Sequence, residues 1–319
     1  MWCEVCTPGT HIHILDYIIT WVKNISPGSP NVYWLFGPVG SGKSMIAYTV
    51  AHHFKFAGNP NDKIILGGNF FCLRQFEETQ LSKCIICTVV HHLVLKCKAF
   101  AEQLSDVDFK TVNRNIPAQL QNLLISPWQA SKPDWCPDPL NPPPHYLIVI
   151  DALDEIDGTG GSEFLQDLLE VIDKNENHLQ GLKFFVMSRP DPNLVGHVDS
   201  LKLKQLYHLE QVPPDEAQYD IRTYLMTELL HFTGCEEIDN LVAMMAGLFI
   251  YAATIVKYLT RRGCSEQKSF LTMLLASSIS SNLQWLSTGM PFALLNTFYS
   301  QILEQSFHDF SPKENGWED

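Results

Sequence analysis

Residues 34–50, WLFGPVGSGKSMIAYTV, set an apolar run directly against a loop with glycines at 37, 40 and 42 that ends in Gly-Lys-Ser. Few local sequences restrict a fold as strongly. The preceding NVYWLF (31–36) is β-branched and aromatic, and SPGSP and glycine bound it, so it reads as a short buried strand. The following KSMIAYTVAHHFKF continues as a helix. In a strand–loop–helix of this kind, backbone N–H groups can wrap a chain of phosphates because no side chain obstructs them, and the positive end of the helix dipole adds attraction. The octet Gly37, Pro38, Val39, Gly40, Ser41, Gly42, Lys43 and Ser44 fits G-x-x-x-x-G-K-[ST]. The expected ligand is a nucleoside triphosphate, with Lys43 on the β- and γ-phosphate oxygens and Ser44 on Mg²⁺.

The rest of the chain supplies partners for this loop. YLIVIDALDEID (146–157) is the most apolar strand candidate, and it delivers Asp151 at its C-terminal end, where open α/β sheets hold ligands. Asp151 is expected to reach Mg²⁺ through water, while Asp154 or Glu155 orients or deprotonates the attacking water. FFVMSRP (184–190) is a further buried strand that carries Ser188 and Arg189 at its end. If that strand lies between the other two, Arg189 reaches the terminal phosphate and distinguishes triphosphate from diphosphate.

Around these strands the pattern alternates. THIHILDYIITWVKN (10–24) reads as a leading helix with Ile12, Leu15, Ile18, Ile19 and Val22 on one face and Thr10 as its N-cap. KIILGGNFFCL (63–73) reads as a second strand, 77–97 as one long amphipathic helix, 117–125 as another helix, SEFLQDLLEVIDKN as a helix, and LYHLEQV (206–212) as the last strand. The proline-rich stretch 126–145 is expected to be a surface loop, neither helix nor strand. Alternating strands and helices imply a parallel sheet wrapped by helices. The expected divisions are a leading segment 1–30, an α/β core 31–212 with the insertion 126–145, and an all-helical region 213–319. No repeat of 20–50 residues is present.

Composition excludes some classes. With 22 basic and 35 acidic residues in 319, the formal charge of −13 argues against a broad nucleic-acid-binding surface. The N-terminus lacks the basic and apolar regions of a secretory signal, and nine scattered cysteines give an odd count without a disulfide framework, so a reducing, cytoplasmic setting is expected. The uncharged run from Asn240 to Val256 reads as a buried core helix, short for a membrane span. The Cys3/Cys6 and Cys84/Cys87 pairs lie too far apart for a zinc ribbon, and the pairs His11/His13, His52/His53 and His91/His92 lack a third ligand. These histidines are expected on helix surfaces or partly buried.

CTPGTHIHILDYIITW, WLFGPVGSGKS, YLIVIDALDE, FFVMSRP, DEAQYDIRTYL and GLFIYAATIVKYL occur in an order that resembles fungal NACHT-domain proteins with a nephrocystin-like P-loop module. The resemblance runs over nearly the whole chain, and the D-x-x-D-E run at Asp151, Asp154 and Glu155 is its most particular element. It implies a signalling NTPase of the STAND class: a sheet of order 5-1-4-3-2, ATP or GTP with Mg²⁺ as cofactors, slow hydrolysis that shifts domain packing, and association with itself or other NACHT proteins. It also implies the γ-phosphate sensing role of Arg189. The segment Gly247–Phe249 lacks the proline that many NACHT proteins have there, which leaves base preference open. The chain is expected to stop before a complete winged-helix or repeat domain and to be a fragment of, or a partner to, a longer protein. Alternatives are a nucleotide-binding scaffold without hydrolysis, a decayed fragment, and a small-molecule kinase. The kinase is disfavoured because no basic lid follows the loop helix, and a transporter ATPase because no LSGGQ-like signature is present.

Overall fold

Every side chain of strand β1 (Val32–Phe36) is buried, and the pleat sends them to two different cores. In the computed structural model, which describes residues 4–26, 28–57, 64–104, 109–131, 143–175, 178–190, 204–208, 212–229, 236–245, 247–260, 263, 267–272 and 299–300, the chain divides into two compact units, Met1–Val212 and Pro213–Asp319.

The first unit is built on a parallel sheet. Strands β1, β2 (Ile64–Phe71), β3 (His145–Asp151), β4 (Leu182–Ser188) and β5 (Lys204–His208) lie in the order β2-β3-β4-β1-β5, which is 5-1-4-3-2 from the other edge. Val32, Trp34, Phe36, Ile148, Ile150, Phe184 and Val186 face helices α3 (Ser82–Lys96) and α7 (Gly160–Lys174). Tyr33, Leu35, Leu147, Val149, Phe185 and Met187 face α1 (Ile12–Lys23) and α2 (Lys43–His52). A sheet covered on both faces reads as continuous apolar runs, which explains the composition of β1, β3 and β4. Lys183 interrupts the β4 run yet is buried. Its ammonium donates to the Trp21 carbonyl (2.7 Å) and the Ser29 hydroxyl (3.0 Å), and burial lowers its pKa to about 8.

Several local expectations change. Thr10 does not cap α1: its hydroxyl donates to the Thr7 carbonyl (2.8 Å), and His11 occupies the cap position. The buried face of α1 is Ile14, Ile18, Trp21 and Val22, while Ile12 is half-exposed. The stretch 77–97 is a 3₁₀ turn, Glu77–Gln80, followed by α3, and α4 (Lys98–Leu104) continues beyond it. The helix expected at 117–125 starts as α5 (Ile116–Gln119) and passes through a π-turn (Leu120–Ile125) into α6 (Ser126–Ala130). The expected loop 126–145 therefore begins as helix. Pro127 sits in the first turn, where a missing N–H costs little, and Trp128 is buried against Tyr146 at the start of β3. Residues 132–142 of that stretch lie outside the described residues.

In the second unit, α8 (Pro214–Glu228), α9 (Glu236–Met244) and α10 (Phe249–Leu259) share an apolar core of Ile221, Leu225, Leu241, Ala252 and Ile255. The single helix expected over the uncharged run is two helices, because Gly247 adopts φ 76 and turns the chain between α9 and α10. No described helix is long and apolar enough to cross a membrane. The segment in which a winged-helix domain would start lies outside the described residues.

Candidate functional site

Parallel register brings three strand ends to one edge of the sheet. Phe36 pairs with Ser188, Ile150 with Val186, and Phe71 with Asp151, so the loop after β1, the acids after β3 and Arg189 after β4 emerge side by side. The loop needs left-handed backbone at Gly40 (φ 76) and Gly42 (φ 90), and α2 starts immediately afterwards at Lys43. The first turn of α2 has no acidic residue, which suits it to an anion. Lys43 Nζ donates to the carbonyls of Gly37 and Pro38, both at 2.8 Å, and Ser41 Oγ donates to the Pro38 carbonyl at 2.9 Å. Burial lowers the Lys43 pKa, opposed by the charges of Asp154, Asp151 and Glu155 and reinforced by Arg189.

Asp151 is 3% exposed, and its Oδ1 is buried with no hydrogen-bond partner. Burial pushes its pKa up to about 6, against hydrogen bonds from the Ser44 side chain and the Ala152 backbone and the charge of Lys43. A buried carboxylate oxygen left without a donor is costly in a protein at neutral pH. It fits a divalent cation: Ser44 and, through water, Asp151 are the residues that would hold Mg²⁺.

An aspartate at about 6 in the fold and near 3.8 when unfolded has no effect below pH 3.8. Its destabilising effect grows as pH rises and is complete above pH 6, reaching about 3 kcal/mol. Asp151→Asn is therefore expected to raise the melting temperature in EDTA at pH 7.5 while losing the response to Mg²⁺ with nucleotide. A variant that melts lower than wild type in EDTA would contradict this account of the carboxylate.

After Asp151, Ala152 takes a left-handed turn (φ 58), and a 3₁₀ turn, Leu153–Glu155, presents the other two acids. Asp154 and Arg189 are bound at two points: Arg189 Nε lies 2.7 Å from Oδ2, and the Arg189 backbone N–H donates to Oδ1 at 3.0 Å. Glu155 faces Arg74 at 3.6 Å. Ser188 fixes the end of β4 by accepting from the Trp34 indole (2.9 Å) and donating to the Arg189 carbonyl (2.9 Å). A cavity of about 240 Å³ opens beside the pair, lined by Leu153, Ile156, Gly161, Leu165 and Ser188 among others.

The profile of the family described as "Nephrocystin 3, N-terminal" matches residues 13–189, more than half of the chain. The chain belongs to that family. The nephrocystin-3 N-terminal match runs from α1 to Arg189 and so takes in the loop, the three acids and the arginine. Loop, sheet and family together make the chain a P-loop NTPase. Among curated proteins none matches it in sequence.

Three solved structures are loosely similar to this nephrocystin-3 N-terminal family member. Drosophila ORC bound to DNA has 12% identity and a TM-score of 0.42, over 92% of this chain and 66% of that one. A Walker-type ATPase of Pyrococcus abyssi has 14% identity and a TM-score of 0.46, over 91% and 81%. C. elegans PCH-2 has 11% identity and a TM-score of 0.46, over 88% and 70%. At these values the three add nothing to the assignment.

All the residues named from the sequence converge at this sheet edge, but Arg189 engages Asp154, a pairing that the strand pattern did not foretell. Two further residues belong to the neighbourhood. Arg74, on the chain just after β2, reaches Glu155. His11, expected as a helix-surface or partly buried residue, is buried against the loop, and its only sequence signal is its position directly after the Pro-Gly-Thr turn.

Proposed function

We propose that this nephrocystin-3 N-terminal chain binds ATP or GTP with Mg²⁺ and acts as a slow-hydrolysing conformational switch of the NACHT type within the STAND class. The observation that carries the reading is the buried, unpartnered Oδ1 of Asp151 beside a Ser44 that hydrogen-bonds the same carboxylate. In this reading the backbone of 37–42, Lys43 and Ser44 cradle the phosphates, and Ser44 and Asp151 hold Mg²⁺. The ion would offset phosphate charge. Asp154 or Glu155 serves the attacking water, and Arg189 reads the γ-phosphate.

The two-point pair between Asp154 and Arg189 supports slow turnover, because each partner must leave the other to act on a triphosphate. A charge-assisted bond contributes about 1.5–3 kcal/mol net where it is buried, and less here because the Arg189 side chain is 41% exposed. Exchange of Asp154 for a phosphate oxygen at Arg189 is then the step that couples nucleotide state to the end of β4. Association with other copies or other NACHT proteins is the output that the family resemblance implies, and helices α8, α9 and α10 of the second unit are the elements through which the state would be transmitted.

Glu155→Gln is expected to keep triphosphate affinity and slow hydrolysis. Arg189→Ala is expected to bring the affinities for ATP and ADP together, shrinking their ratio by about tenfold. Competition titrations of both nucleotides against one fluorescent analogue read both. An unchanged ratio in Arg189→Ala would remove its sensing role.

A second reading is a scaffold that holds nucleotide without turning it over. It is favoured by the fact that both hydrolytic candidates, Asp154 and Glu155, already face arginines. Following phosphate release in the titrated samples separates the two.

A further inference from the structure

The residues ahead of α1 are tied to the phosphate loop and its helix. Cys6 donates its backbone N–H to Thr49 Oγ1 on α2 at 2.8 Å. The Thr7 carbonyl receives both the backbone N–H (3.0 Å) and the hydroxyl (2.8 Å) of Thr10, closing a tight turn. That turn leads into His11, whose backbone is left-handed at φ 56. A side chain with a Cβ is disfavoured there, so the conformation persists only where the surroundings hold it.

The surroundings are the loop itself. His11 is 6% exposed, its imidazole hydrogen-bonds the Ser41 backbone, and its Nε2 and Cε1 lie 3.0 and 3.3 Å from the point that a Cβ on Gly42 would occupy. Burial pushes the ring down to about 4, so it is neutral at physiological pH and brings packing and a hydrogen bond rather than charge. Gly42, at φ 90 and without a side chain, has more backbone freedom than any other residue type, so a ring packed against it narrows the conformations open to the turn.

We propose that His11 is a positioning residue for the phosphate loop, its ring bracing the Ser41–Gly42 turn and thereby the start of α2 at Lys43 and Ser44. The effect on the loop stands on the contacts above; the effect on affinity rests on the nucleotide reading. His11 touches no ligand in this scheme. It acts through backbone it holds still.

The test compares His11→Ala, His11→Gly and His11→Gln with wild type. Glycine removes the ring but also relieves the left-handed strain, so His11→Gly should melt higher than His11→Ala. Amide hydrogen exchange of residues 40–45 in nucleotide-free protein is expected to speed up about tenfold in both the Ala and Gly variants, with β4 unchanged. The Kd for Mg·ATP should rise about tenfold in both, despite their different melting temperatures. Gln, which keeps a polar side chain, should fall between them and wild type. Unchanged exchange at 40–45 in both variants, or an affinity that simply follows melting temperature, would overturn the proposal. If wild type binds no ATP, the nucleotide reading fails, and the exchange data still decide the role of His11.

Discussion

Lys43→Ala is expected to reduce binding of Mg·ATP and Mg·GTP by about a hundredfold or more while leaving the fold intact. In the structure the ammonium has two loop carbonyls, Gly37 and Pro38, each at 2.8 Å. Both contacts are only part-buried, so water can replace the lost donor, and the stability cost is on the order of 1 kcal/mol. Against a triphosphate the same ammonium would supply two charge-assisted bonds at about 1.5–3 kcal/mol each. It also offsets the combined charge of Asp151, Asp154 and Glu155, which surround it. Its loss leaves those acids to repel an incoming anion. Lys43→Arg should rescue little, because a planar fork does not replace a compact ammonium in a tight loop. Titration with fluorescent nucleotide analogues reads the effect, and circular dichroism checks the fold. Wild-type affinity in a folded Lys43→Ala would refute the assignment of the site.

Gly161→Ala should destabilise the first unit by about 3 kcal/mol or more, through overpacking against backbone. A Cβ at this position would lie 1.8 Å from the Leu153 carbonyl oxygen and 2.7 Å from its carbon. Backbone atoms cannot rotate away. Either α7 or the turn carrying Asp154 and Glu155 must move, and that turn is fastened by the Arg189 pair and by the Asp157 N–H donating to the Gln80 carbonyl at 3.0 Å. Hydrolysis should therefore suffer more than nucleotide binding, since the loop at 37–44 stands apart from the clash. Gly160→Ala is the control: its nearest neighbour would be the Ile156 Cγ2 methyl at 3.0 Å, a side-chain atom that can shift. Thermal unfolding of the two variants gives the comparison. A Gly161→Ala protein as stable as Gly160→Ala would contradict the packing described.

The centre of the molecule was legible because its signals are local. A strand, a glycine loop and a helix in direct succession leave one arrangement for residues 31–52, and the acids after IVI and the arginine after FFVMS mark the ends of two more strands. Features that depend on distant partners were not legible. The Asp154–Arg189 pair joins residues 35 apart in sequence, and nothing in either segment announces the other. Trp128 makes residues 126–130 helical by packing on β3, although the surrounding prolines argue for a loop. His11 looks like any histidine at a helix start until the loop is folded over it. Gly247 broke one expected helix into two, a case in which a backbone with φ 76 outweighed an unbroken apolar pattern.

The most direct test of the account is a calorimetric titration of wild-type protein with ATP, once with Mg²⁺ and once in EDTA, with phosphate release followed in the same samples. The account predicts binding that is markedly tighter with Mg²⁺ and turnover on the order of minutes or slower, well below the usual enzyme range of about 1–10³ per second. A folded wild type that binds neither ATP nor GTP, or binds them equally well without Mg²⁺, would contradict the claim that Asp151 and Ser44 serve a metal at a phosphate loop.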